Sequence, residues 1–360
     1  MIFYVFLFLL FVLGIHELFD DSNDRYVLYI LSFIVFCIFS GLKYNVGTDY
    51  LNYAYYYEHA FDPGLGVENG VEPGYIYMMD FFKTFSVSFI GFWLIISTFN
   101  FALKYYIFNK YSPFLFISLL IYFVGLFMER DFDGIRQGLS IGICYFAIPS
   151  ILNKKPVKFI LLVVCASLIH VSAVVFFPAY FISRARFGKK LIYVVVAILT
   201  VLVVLNVSFT NIMIGALPES LIKARLQTYI SETDSQYVQK VGLSIGIIFR
   251  IVILFLFVHL EERISLDTTL YKFLRNGFFV GIVLSLLFND VDILSHRLAY
   301  IYRELQIFIV PILIVQIPSK KWQLLALTGV FLYSVTLLNR MLNAETLRDY
   351  YHYHNYIFRF

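Results

Sequence analysis

"PFLFISLLIYFVGLFMERDFDGIRQGLSIGICYFAIPSIL", residues 113 to 152, sets two almost purely apolar runs on either side of a charged centre, "RDFDGIRQG", Arg130 to Gly138. Each run is apolar all round the helix rather than along one stripe, and each approaches the length that crosses a bilayer, about 17 to 25 residues. The pattern recurs along all 360 residues, of which 60% are hydrophobic, 19% aromatic and only 14% charged. That excludes a soluble globular domain and predicts an all-α polytopic membrane protein, one integral domain over 1–360. No soluble module fits inside it, because the longest polar stretches are 43–73 and 216–240.

Spans are expected near 2–18, 26–42, 86–104, 113–128, 135–152, 190–213, 242–260, 273–289, 298–317 and 322–339, and two ambiguous pieces bring the total to about 10–12 helices. The first run, "MIFYVFLFLLFVLG", lacks a basic start and a small-residue cleavage site, so it reads as a retained span. One ambiguous piece, "GYIYMMDFFKTF" (74–85), is too short and too charged to cross alone. The other, 159–183, lies between the basic loops "NKKPVK" and "RARFGKK", both of which the positive-inside rule sends to the cytoplasm. A single tilted crossing breaks that rule. A pair of half-helices broken near Ser167 to Ser172 obeys it and carries His170 at the break. With the hairpin, "KYYIFNK" (104–110) and "IPSKKW" (317–322) fall inside, while 43–73, 129–136, 214–241, 289–297 and the tail after Arg340 fall outside.

Cys37, Cys144 and Cys165 each sit in apolar segments and read as packing residues, with neither disulfide nor thiolate-metal spacing. The net charge of +4 reports loop topology, and no basic patch suggests nucleic acid. The chemistry is expected at the outer face. There Arg130, Asp131, Asp133 and Arg136 stand at the mouth of two helices, and Arg297 and Arg303 project from "SHRLAYIYRELQIFIVPIL". An ionisable side chain at membrane depth costs roughly 2.5 to 3.5 kcal/mol, so such residues pair, face a cavity or bind something. The outer loops 43–73 and 214–241 supply Asp49, Glu58, Glu72 and the tyrosines Tyr50, Tyr53 and Tyr75. Arginine forks grip phosphate oxygens, carboxylates accept sugar hydroxyls or take a proton, and rings cover sugar faces. Together they suit a sugar attached to a phosphate.

Each residue also has a purely structural reading. Arg136 can pair with Asp131 or Asp133, Arg297 and Arg303 can reach to headgroups, and Asp49 can cap the helix through "YLNYAYYY". Glu72 can be a turn acid before Pro73, and His170 can satisfy backbone groups at its break. The tail "YYHYHNYIFRF" reads as an interfacial aromatic segment, and Leu221, Ile222, Leu226, Tyr229 and Ile230 follow a helical spacing that suits a surface helix.

"VGTDYLNY", "EPGY", "IRQGLSIGICYFA", "SLIHVSAVVFFPAYF" and "HRLAYIY", in that order, resemble the EpsG-type family of bacterial polysaccharide polymerases, the Wzy class in function. The resemblance implies a metal-independent glycosyltransferase with a GT-C-like membrane fold and no cofactor. Its donor and acceptor are undecaprenyl-diphosphate-linked oligosaccharides, used in the bacterial inner (plasma) membrane with the active site facing the periplasm or cell exterior. A chain-length regulator and a flippase are the partners that such a system implies. By position, Asp49, Glu72 with Tyr75, Arg136 with Gln137, His170, and Arg297 with Tyr300 match the family's motif residues.

The expected mechanism follows from the leaving group. Fixed cations must hold the departing diphosphate, so Arg136 and Arg297, with Arg130 or Arg303, form the clamp. A base must take the acceptor's proton, with Asp49 first, Glu72 second and His170 third. Tyr50, Tyr75, Gln137 and Tyr300 are the expected sugar contacts. Two other classes share these features: a lipid-linked oligosaccharide flippase, and a ligase that moves finished glycan to another acceptor. No internal repeat joins the two halves, which favours an enzyme over a carrier.

Overall fold

The computed structural model describes residues 1–20, 25–62, 64, 70–216, 242–344 and 348–357. In chain order the helices are α1 (Ile2–Phe19), α2 (Arg25–Gly41), α3 (Tyr50–Glu58), α4 (Pro73–Thr84), α5 (Phe89–Tyr111), α6 (Leu115–Tyr122), α7 (Ile135–Phe146), α8 (Ile148–Leu152) and α9 (Pro156–Ile169). There follow α10 (Ala179–Ile182), α11 (Lys189–Val204), α12 (Phe209–Ala216), α13 (Ile245–His259), α14 (Thr268–Leu287), α15 (Asp292–Arg303), α16 (Gln306–Val315) and α17 (Lys320–Leu342). The described residues form no named strand. Among the described residues, six helical stretches are long and apolar enough to cross a membrane: Ile2–Phe19, Phe89–Tyr111, Ile135–Leu152, Thr268–Leu287, Arg297–Val315 and Lys320–Leu342. The chain is an all-α polytopic membrane protein. Its aromatic residues face outward as well as inward, as a lipid solvent allows.

The chain divides into two compact units, Met1–Phe177 with Val310–Phe360, and Pro178–Ile309. In the first, α5 packs on α2 and α7, α9 packs on α7 and α4, and α1 lies against α6 and α17. In the second, α14 is the central element, contacted by α15, α11, α13 and α10.

Several sequence expectations change here. The span expected at 113–128 runs on as a π-helical segment, Phe123–Asp133, so Arg130, Asp131 and Asp133 belong to the helix and not to an outer loop at 129–136. Such segments, with i→i+5 hydrogen bonds, are rare and concentrate at functional sites. Lys104, expected in a cytoplasmic loop with "KYYIFNK", lies inside α5 and is fully buried. The helix expected at 190–213 breaks after Val204, where Asn206 takes φ +57°. Asp290 then accepts hydrogen bonds from Ser208 Oγ, Thr210 Oγ1 (2.6 Å) and Thr210 N (3.3 Å), satisfying the exposed donors at the start of α12. The span expected at 298–317 is present as Arg297–Val315, with a turn at Glu304 and Leu305 between α15 and α16.

Two expectations are met. The piece near 74–85 is the short helix α4, and the apolar segment 159–183 breaks where expected, with α9 ending at Ile169 and a 3₁₀ turn over Val171–Phe176. The proposed surface helix at 221–230 lies outside the described residues.

Candidate functional site

Three distant parts of the chain meet in the first unit: the loop after α2, the end of the π-helical segment and the C-terminal tail. Asp133, 8% exposed, is the point where they meet. Its Oδ1 accepts from the backbone N of Asp49 (3.0 Å), and its Oδ2 accepts from Thr48 Oγ1 (2.7 Å) and from the Tyr351 hydroxyl (3.2 Å). Gly47 is required for this approach. It holds φ +99°, and a Cβ there would stand 2.6 Å from Asp133 Oδ1.

Lys43 lies beneath the same loop. Its ammonium donates to the carbonyls of Val46 (2.8 Å) and Phe132, and sits 4.3 Å and 4.8 Å from the ring centroids of Phe132 and Trp93. Burial lowers its pKa to about 8, while the Asp133 and Asp49 carboxylates oppose that shift.

Asp49 occupies the N-cap position of α3, yet its carboxylate makes no capping bond. Half-buried, that carboxylate makes no side-chain hydrogen bond among the described residues. Its pKa is raised, first by burial and then by the Asp133 carboxylate, with Arg136, Arg130 and Lys43 pulling it back. A carboxylate with open lone pairs and raised basicity is equipped to take a proton.

Arg136 opens α7 and faces neither Asp131 nor Asp133. Its Nη1 donates to Glu72 Oε2 at 2.8 Å, and its guanidinium lies 5.6, 5.9 and 5.9 Å from the centroids of Tyr53, Tyr56 and Tyr75. Rings on several sides suit a planar cation, whose charge their faces attract. Two polar atoms of this cage are buried and unpartnered, Arg136 Nε and the Tyr75 hydroxyl. Unsatisfied buried polar atoms are rare in native structures, and a substrate oxygen is one way to satisfy them.

Glu72 is more than a turn acid. Its second oxygen, Oε1, accepts from Val171 N at 3.1 Å, so this one carboxylate ties Arg136 to the break after α9. The two segments meet closely at Gly74, where a Cβ would fall 2.6 Å from the Leu168 carbonyl oxygen.

His170 takes its structural reading at the break. Its Nδ1 accepts from Ser172 N (3.3 Å) and contacts Ser172 Oγ (2.7 Å), capping the 3₁₀ turn. Among the expected sugar contacts, Tyr50 is buried with its hydroxyl 3.0 Å from that of Tyr356, Gln137 is buried, and Tyr75 forms the floor of the arginine cage. Arg130 is part-buried, with Nη2 3.9 Å from Glu129 Oε2, and acts electrostatically on Asp49.

Behind this layer Asp131 is wholly enclosed. It pairs with Lys104 and accepts from Asn100 Nδ2 (2.7 Å) and the Tyr122 hydroxyl. Lys104 also donates to the Gly138 carbonyl at 2.9 Å, joining α5 to α7. These charges are structural partners of one another.

Arg297, Arg303 and Tyr300 belong to the second unit. Arg297 is exposed. Arg303 does not reach toward headgroups: it is 6% exposed, packs 4.4 Å over the buried Tyr300 ring and has Nε 3.4 Å from Glu304 Oε1. Arg250 Nη2 stands 3.4 Å from the same oxygen, and Gln306 Nε2 donates to Oε2 at 2.9 Å. The fully buried Glu304 thus neutralises part of a two-arginine cluster.

Lys43, Tyr351, Lys104, Arg250 and Glu304 were not singled out by sequence reasoning. Arg250 carried a readable signal, since it stands in the middle of "IGIIFRIVILF". Tyr351 carried none, because its partner is 218 residues away.

A family model described as the EpsG family matches residues 26–358, which takes in the loop after α2, the arginine cage, the second-unit arginines and the tail. No curated protein and no solved structure matches the chain.

Proposed function

The chain belongs to the EpsG family, which implies a polysaccharide-polymerase type of function, and from that premise we propose that it joins undecaprenyl-diphosphate-linked repeat units in O-antigen or exopolysaccharide synthesis. The growing glycan leaves its lipid carrier and is transferred to the sugar of an incoming unit. The site lies on the outer face of the plasma membrane, at the mouth of the first unit, and the chemistry needs no metal.

The observation that carries the reading is the pairing of a caged arginine with a carboxylate whose lone pairs are open. The acceptor hydroxyl oxygen attacks the anomeric carbon of the donor sugar. As the new C–O bond forms, the bond to the diphosphate breaks and its electron pair leaves with the diphosphate. Asp49 takes the hydroxyl proton. Arg136, with Arg130 beside it, holds the charge that builds on the leaving diphosphate. Tyr75 and Arg136 Nε supply donors that lack partners of their own. Glu72 has one oxygen on Arg136 and the other on Val171 N, so it aims the arginine and is not the base. His170 holds the break that Glu72 binds.

The test is the length distribution of the surface glycan in the native host, comparing the intact protein, a deletion and Arg136→Ala at matched membrane abundance. A deletion that leaves single repeat units on their lipid core, reproduced by Arg136→Ala, supports the polymerase. Loss of even the single unit points to export or ligation.

A further inference from the structure

The C-terminal tail does more than lie in the interface. Residues 350–356 run along the loop 42–50 and bind it through backbone hydrogen bonds, Gly47 N to Tyr350 O (2.8 Å), Tyr44 N to His354 O (2.9 Å) and Tyr356 N to Leu42 O (2.9 Å), with a bridge between Lys43 and Asn355. Side chains add to this: the Tyr353 hydroxyl donates to Phe39 O at 3.0 Å, and the Tyr356 and Tyr50 hydroxyls meet. Tyr351 is 8% exposed, lies edge-on to Phe3 at 6.1 Å and stacks near Phe132 at 6.5 Å, which aims its hydroxyl at Asp133.

We propose that this tail is a strap that positions the base: Tyr351 holds Asp133, and Asp133 in turn fixes the Asp49 backbone and the Thr48 side chain. Both are positioning residues, since neither is placed on substrate. The inference rests on the reading of Asp49 as the base.

The geometry explains why an acid sits so close to another acid. Asp133 gathers three neutral donors above the buried Lys43, and its charge makes the Asp49 carboxyl a better proton acceptor. The charged and titratable groups acting on Asp49 are Asp133, Arg136, Arg130, Lys43, Tyr53 and Tyr351. Loss of the Tyr351 hydroxyl removes one of the three donors on Asp133 and leaves the backbone bonds between tail and loop in place.

The experiment uses membrane vesicles of the full-length protein supplied with the host's diphosphate-linked repeat unit, with polymer formed per minute read across pH. Asp133→Asn is expected to lower kcat on the order of 10²-fold, the scale of a misplaced reacting group. It should also move the acidic limb of the profile to lower pH, because a negative neighbour of Asp49 is gone. Tyr351→Phe keeps the ring and should lower kcat with KM unchanged. A chain truncated after Asn343 should be inactive and regain activity when a peptide of residues 348–360 is added. Full-rate polymerisation by Tyr351→Phe and by the truncated chain overturns the strap. A slower Asp133→Asn enzyme with an unmoved acidic limb makes Asp133 a merely structural residue and overturns its positioning role. Full activity in Asp49→Asn separately removes the base on which the inference depends.

Discussion

Replacing Lys104 by methionine keeps the length of the side chain and deletes its charge, and the structure gives the size of the effect. Lys104 and Asp131 both have side chains with no solvent exposure. Without the ammonium, Asp131 keeps only neutral donors, Asn100 Nδ2 and the Tyr122 hydroxyl. Removing one partner of a buried ion pair strands a charge, at roughly 3–5 kcal/mol. For a unit of this size each kcal/mol moves Tm by roughly 2–4 °C, so the expected loss is on the order of 10 °C. Asp131→Asn strands the lysine instead and should cost a similar amount. The double variant Lys104→Met/Asp131→Asn removes both charges and should be more stable than either single variant. Intrinsic fluorescence in detergent reads this directly. Trp93 is buried, donates to Ser40 O at 3.0 Å and lies in α5 with Lys104, whereas Trp322 is exposed and changes little. Single variants that unfold within about 2 °C of the parent, or a double variant no better than the worse single, refute the view that this pair is a dry and mutually dependent one.

Three further outcomes are expected. Lys43 has a folded-state pKa of about 8 against an ordinary 10.5, so between those values the unfolded chain binds the extra proton and stability rises with pH; denaturation scans at pH 8 and pH 10 should show this gain in the parent and lose that increment in Lys43→Met. Arg136→Lys keeps a charge but loses the planar fork that pairs with Glu72 and lies among three tyrosines, and its kcat for polymer formation should fall on the order of 10²-fold, the usual cost of removing a fixed donor from developing charge. Gly74→Ala places a Cβ 2.6 Å from the Leu168 carbonyl, so α4 and α9 must separate, at a cost of about 1–3 kcal/mol seen as a lower Tm and reduced activity.

The spans were legible because their hydrocarbon is continuous, and the break at His170 was legible because two basic loops cannot lie on one side of a single crossing. Arg136 stood out for a related reason, since charge beside apolar runs is costly and asks for an explanation, and Asp49 and Glu72 stood out as carboxylates among the tyrosines of the loop 43–73. What stayed hidden depended on partners far along the chain. Lys104 read as a loop cation because nothing near it in sequence announces Asp131, and Asp133 read as one of four charges at a mouth because Thr48 and Tyr351 lie 85 and 218 residues away. The tail's aromatic residues fitted an interfacial segment equally well, since composition does not show which surface a ring covers. The interruption at Asn206 is four residues long, and Asp290, 82 residues on from Ser208, makes it a helix start. Arg303 was expected to meet headgroups or substrate because its sequence does not show that the adjacent Glu304 is buried against it.

The most direct measurement is reconstitution of the purified protein in liposomes with a single diphosphate-linked repeat unit as both donor and acceptor, counting glycan linkages and free lipid diphosphate together. The account predicts one lipid diphosphate released for every linkage formed by the intact protein, and neither product above background from Asp49→Asn or Arg136→Ala at equal incorporation. Linkages made at the parental rate by those two variants, or repeat units moved across the bilayer by the intact protein with no linkage made, would contradict it.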